Sequence, residues 1–257
     1  MKPIPSIEPA PKIKPPVTRT LPPGLPSCPA WELPLRLLPP SCPVDHLLLG
    51  IVQRQRSLLA AGATKAEVLG PYHPSLRILT YPDQAEDGNA ISTLIANLLQ
   101  RTSVPGLPEK AACLFVMYHL AQWQIAPSPE TYGNLPEWHT ARPSQLMTPH
   151  PIWVTQIPFG KLRDRIIANQ DKYATDEFQE LYSSSMSINW PKEPIDILVF
   201  DGNDVRVSDE FARHCTTLAN WSLGEPFSRR YPELTDCCRL TTFQRGQQMN
   251  CGAHRQH

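Results

Sequence analysis

RPSQLMTPHPIWVTQIPFGKLRDRII, Arg142 to Ile167, changes character midway. Its prolines, Pro143, Pro149, Pro151 and Pro158, remove amide donors and push the residues before them toward extended backbone. After Gly160 the spacing of Leu162, Ile166 and Ile167 among Lys161, Arg163 and Arg165 is that of an amphipathic helix. The stretch therefore reads as an extended strap, rich in apolar side chains, that leads into a helix over about 161–170. Ile152, Trp153, Ile157 and Phe159 are its candidate buried residues, laid into a groove of a helical core. Active site, docking strand and structural strap are the three roles such a segment can have.

The core it would strap is upstream. Ala111 to Ile125 is apolar around nearly every face, which marks a central helix, with Pro108 in its first turn and Pro127 and Pro129 ending it. Before it, a helix over 45–61 is expected, with Asp45 as N-cap, an apolar stripe of Leu48, Ile51, Val52, Leu58 and Leu59, and Gly62 as terminator. Thr64–Glu67 spells a capping box, and Tyr72 to Gln84 reads as extended or looped. Another helix is expected over 90–101. Downstream come a helix over 176–186, a break at SINWPKEP, and two short strands around the Asp-Gly turn of IDILVFDGNDVRVS. Ser208 caps a helix to about 220, and GEPFSRRYPEL offers one more turn.

The ends differ in composition. Fourteen of the thirty prolines lie in residues 1–43, so this arm is expected to be disordered or polyproline-like, with WELPLRLL (Trp31–Leu38) as a patch that docks on the folded part or on a partner. The tail over 236–257 is polar and expected to be unfolded. The folded domain is placed at 44–235. Its class is mainly α: an irregular helical bundle with a proline-rich extended strap and a small β-hairpin.

Charge balances at 24 basic and 24 acidic residues, which argues against bulk attraction to nucleic acid or an anionic membrane. No run approaches the ~18–20 apolar residues of a membrane span. MKPIPSIEPAPKIKPP holds no secretory apolar region, and seven scattered cysteines point to reduced thiols in a cytosolic or nuclear compartment.

Candidate chemistry is sparse. His119 sits in the apolar helix with no carboxylate three or four residues away to orient it, so a core histidine is the reading. His214 and Cys215, as neighbours on a helix, point about 100° apart. Cys237, Cys238, Cys251, His254 and His257 are zinc-capable residues without the spacing of a closed site. Asp201–Asp204 is explained by a hairpin turn rather than a calcium loop. The basic clusters Gln53–Arg56 and Lys161–Arg165 read as solvated helix faces. Phosphate-loop, dinucleotide, nucleophile-elbow and zinc-protease motifs are not found. No catalytic, cofactor-binding, metal or DNA-binding residue is assigned.

CPVDHLLLGIVQRQR, the Arg142–Ile167 stretch, SINWPKEPIDILV and VSDEFARHCTTLANWSLGEPFSRRYPEL, taken in this order, resemble the uncharacterised domain at the C-terminal side of fungal bZIP-type transcription factors. The resemblance spans Cys42 to Leu234, and its most specific parts are R-P-x-Q-L-x-x-P-H-P-x-W and N-W-S-L-G. It implies a nuclear protein of transcription regulation, associated with secondary-metabolite gene sets. In that family a basic region and zipper usually precede the domain. Here no basic helix followed by leucines every seven residues is found, so DNA contact is expected to be indirect, through other transcription factors or regulatory proteins, unless a basic region lies upstream. The outward faces of the helices over 45–61 and 176–186 are the expected partner surfaces. The alternative is a small-molecule-binding or enzymatic helical domain, with an apolar ligand held near His119 and Trp123. A cavity there, as against solid packing, separates the two.

Overall fold

The all-apolar helix organises the molecule. The computed structural model describes residues 28–81, 89–202 and 204–241, and its longest helix, α5, runs Leu107–Ile125. Every side chain from Ala111 to Ile125 is buried, as expected of a helix without a polar face. Around it pack α1 (Pro43–Ala60), α3 (Arg77–Thr80), α4 (Ala90–Gln100), α6 (Pro129–Gly133) and α11 (Asp209–Thr216). The remaining helices are α2 (Lys65–Leu69), α7 (Pro143–Met147), α8 (Gly160–Ala168), α9 (Gln170–Tyr173), α10 (Asp176–Ser184) and α12 (Glu225–Arg230). Short 3-10 turns link them.

Local signals set most boundaries. Thr64 and Glu67 form the reciprocal capping box of α2, and Gly70 closes it at φ +73°. A Cβ on Gly70 would stand 2.7 Å from the Tyr118 hydroxyl, so the position needs glycine for space as well as for φ. Asn89, Thr175 and Ser208 cap α4, α10 and α11 through their side chains. Asp45 is not the N-cap of α1. Pro43 takes the first helical position and Cys42 the cap, which places Asp45 in the first turn. There its carboxylate accepts from Ser41 and from the backbone N–H of Trp153, so it ties α1 to the strap. The segment read as a loop after Tyr72 contains α3, and α11 stops at Thr216, short of the expected 220.

The strap is less extended than its prolines suggested. Pro143 starts α7 and Pro151 precedes a 3-10 turn over Ile152–Gln156, because proline is well suited to the first turn of a helix. Only the residues between these turns are extended. The expected burial holds: Ile152, Trp153, Ile157 and Phe159 all lie in the main core.

The hairpin forms as β2 (Leu198–Asp201) and β3 (Asp204–Val207), in register from Leu198↔Val207 to Asp201↔Asp204, with Gly202 at φ +58°. A second two-stranded sheet joins β1 (Met186–Ser187) to β4 (Ser222–Leu223). It brings the two Asn-Trp sequences together, since Asn189 donates to the Asn220 carbonyl at 2.7 Å and to Ser222 Oγ at 2.9 Å. Asn189 holds φ +48°, a left-handed conformation that asparagine tolerates. Trp221 is buried and donates to the Cys215 carbonyl, whereas Trp190 is half-buried against Phe211 and His214.

Residues 28–41 of the proline-rich arm lie on the helical part. Leu33, Leu35 and Leu37 turn inward while Pro34, Arg36 and Leu38 turn out, the period of a strand. Arg36 N–H bonds the Gln145 carbonyl, Leu38 N–H bonds the His150 carbonyl, and His150 N–H bonds the Arg36 carbonyl. Leu35 packs on a second small core of Leu120, Trp123 and Leu135, and Trp123 donates to the Trp31 carbonyl. The WELPLRLL patch is thus docked on the domain. Residues 1–27 fall outside the described residues, as do 242–257 of the tail.

Candidate functional site

The sequence candidates are spent on structure. His119 is fully buried, with Phe115 and Tyr72 rings 4.7 Å away. Its Nδ1 donates to Gln122 Oε1, because the Gln122 amide nitrogen is already used on the carbonyls of Leu69 and Pro71. Burial pulls its pKa down to about 4, so it is neutral at pH 7. Both His119 and Trp123 are buried, and neither lines the two clefts described below.

His214 and Cys215 do diverge. His214 Nε2 donates to the Ile188 carbonyl, while Cys215 is buried with its thiol pushed well up by loss of solvent. The Cys237 thiol meets Asp236, and that of Cys238 meets the Leu234 carbonyl. Cys251, His254 and His257 lie outside the described residues. Among the described residues no group of His, Cys, Asp and Glu is placed to hold a metal ion. Asp204 accepts from Ser75 and from its neighbour's N–H, which is turn chemistry.

The two basic clusters are not plain solvated faces. In the first, Arg56 donates twice to the Gln124 carbonyl at the C-terminal end of α5, where a cation is favoured, and Gln55 is buried. In the second, Arg163 is 1% exposed. It donates to the Trp138 carbonyl at 2.5 Å and to Gln145 Oε1 at 2.9 Å, and so holds the segment before α7 onto α8. Burial, with the nearby Arg142 charge, lowers its pKa to about 10, which leaves it cationic at pH 7. Its neighbour Asp164 pairs with Arg142 and accepts from Ser144 at 2.6 Å. Arg163→Met should lower stability by about 2–4 kcal/mol, because Gln145 Oε1 and the Trp138 and Thr140 carbonyls, buried or part-buried, lose their donor. Urea unfolding measures this, and a change within about 0.5 kcal/mol would return Arg163 to the solvated face.

The feature without a local sequence signature is a cleft. Six elements line a half-open space of about 340 Å³: the start of α1, the end of α4, the middle of α5, the 3-10 turn of the strap, α10 and β1, with Trp221 beside them. Val116 and Met117 form its floor, and Leu99, Trp153, Ile157 and Met186 its walls. The rim carries Arg101, Asp176 and Glu180, and Ser103 donates to Glu180. The lining thiols are poor nucleophiles. Burial pushes Cys113 up to about 12, and Cys42 is also raised, chiefly by burial, while its thiol bonds Gln179. The second cavity, between α10 and α12, is lined by charges that pair with one another, Glu225 with Arg229 and Glu177 with Arg230.

Residues 118–243 match the family model of a domain of unknown function, DUF3425. The match takes in the C-terminal half of α5, the strap, α10, the hairpin and both Asn-Trp sequences, and leaves α1 and α4 before it. No curated protein matches the chain, and no solved structure matches it. Among the described residues no helix is long and apolar enough to cross a membrane.

Proposed function

We propose that this chain is a transcription-regulatory interaction module of the fungal bZIP-associated class. It works in the nucleus by binding other transcription factors or regulatory proteins, contacts DNA through them, and serves the control of secondary-metabolite genes. The reading is supported by the ordered series of motifs that resembles that class. It is carried structurally by one observation: the ionisable and aromatic groups of the middle segment are consumed in holding the fold, while α1 and α10 keep polar faces in solvent. On α1 that face includes Arg54 and Leu58, the latter 43% exposed, and on α10 it includes Asp176, Glu177 and Glu180. A rim of charge around a lone exposed aliphatic is the composition of a transient protein contact.

The test is affinity capture from a fungal nuclear extract with the full chain as bait, beside an Arg54→Glu/Leu58→Glu variant. The expected result is recovery of a basic-region transcription factor by the native chain and its loss with the variant. Recovery of no transcription factor by either bait would overturn the proposal.

A further inference from the structure

We propose that the cleft over α5 is a binding site for a neutral, largely apolar small molecule bearing one hydroxyl group. Its volume of about 340 Å³ falls in the ~300–1,000 Å³ range of small-molecule sites. Its floor is the central helix itself, so an occupant would sit in a half-open cleft walled by six elements rather than on a flat surface. Two side chains of the lining carry buried polar atoms that find no protein hydrogen-bond partner, the Tyr182 hydroxyl and Gln156 Oε1. Tyr182 is buried and its ring is fixed beside Phe178 and Phe227, so its position is set before any ligand arrives. A donor and an acceptor left unmatched in apolar walls are what a single polar group on a ligand would satisfy.

Charge at the rim selects against anions. Asp176 and Glu180 stand there against one cation, Arg101, so a carboxylate or phosphate ester would meet more repulsion than attraction. The thiols Cys42 and Cys113 are raised by burial, so the occupant is held non-covalently. This inference does not depend on the interaction reading. Partner capture can fail while the cleft still binds, and the reverse.

The full chain would be titrated with the neutral dye N-phenyl-1-naphthylamine and, in parallel, with the anionic 1-anilinonaphthalene-8-sulfonate. The expected result is saturable binding of about one equivalent of the neutral dye, tighter than the anionic one. Val116→Phe fills the floor, and Gln179→Trp covers the rim from a half-exposed position that leaves the core alone. Each should weaken the neutral dye by about tenfold, with near-ultraviolet circular dichroism showing that the fold is kept. In displacement, 1-naphthol should outcompete naphthalene, and Tyr182→Phe should shrink that advantage. Unsaturable binding, tighter binding of the anionic dye, or equal dye affinity in folded Gln179→Trp would each overturn the proposal. So would equal competition by the two naphthalenes in the native chain.

Discussion

Trp153→Ala should cost about 3–5 kcal/mol of stability, the range of aromatic truncation in a core. In a domain of about 150–250 residues each kcal/mol moves the thermal midpoint by ~2–4 °C, so the fall should be roughly 6–20 °C. The indole is 6% exposed and lies 6.1 Å from the Phe178 ring, centre to centre. Its removal would take apolar surface from the junction of strap, α1 and α10 together. The backbone N–H of the same residue donates to buried Asp45, so a shift of the strap after truncation would also strand a carboxylate. Trp190→Ala is the comparison, since that ring is half-exposed and should cost clearly less. Differential scanning calorimetry of both variants gives the order. An unchanged midpoint for Trp153→Ala would make the strap a surface element, and a partner site would then be its better explanation.

Stability should fall steeply between about pH 6.5 and pH 4, with little change from pH 8 to 7. Three buried histidines drive this, and half-buried His73, lowered by its burial and by the Arg206 charge, adds to the same slope. Burial lowers His119 to about 4, lowers His139 to about 3, and lowers His150, and the Arg163 charge adds to the last two. The tautomers follow from the acceptors. His139 Nε2 donates to the Thr155 carbonyl, and His150 Nδ1 donates to that of Thr148. The sign is fixed by which state takes the proton. Above about 6.5 both states are neutral and the histidines contribute no slope. Below it the unfolded chain binds protons that the folded chain refuses, and each group removes up to ~1.4 kcal/mol per pH unit until its folded pKa is reached. Together they approach a few kcal/mol per unit, enough to unfold a typical domain before pH 4. Asp164 and Glu233, both held low, the latter to about 2, push the same way at still lower pH. Their partners differ: Arg142 and Ser144 offset the burial of Asp164, and Lys172 leads for Glu233. Urea midpoints from pH 8 to 4 measure the slope, and His119→Gln should flatten it by about 1 kcal/mol per unit. A flat profile would mean that these rings are reached by solvent.

Elements written in neighbouring residues were legible in the sequence. Thr64 with Glu67, Ser208 before its helix, the unbroken apolar run of α5 and the Asp-Gly turn each carry their cause within a few positions. What escaped depends on distant partners. Arg163 sits in a cluster with the composition of a solvated face, yet its acceptors are 18 and 25 residues away. β1 and β4 are two residues each, too short for any period to register. The alternation of Leu33, Leu35 and Leu37 is present but masked by Pro34, Pro39 and Pro40, which bracket the two N–H groups, Arg36 and Leu38, that bond the strap. Prolines in the strap point to extended backbone, yet Pro143 starts α7 and Pro151 caps a 3-10 turn. The cleft has no sequence signature, because six elements far apart in the chain each contribute a few ordinary residues.

The middle segment belongs to the core, and native-state hydrogen exchange tests this most directly. Amides of Trp153 and Arg163, bonded to Asp45 and to the Phe159 carbonyl, should exchange as slowly as those of α5, through global unfolding alone. If the strap amides exchange orders of magnitude faster while α5 stays protected, the segment opens independently, and the claim that it clamps the bundle is wrong.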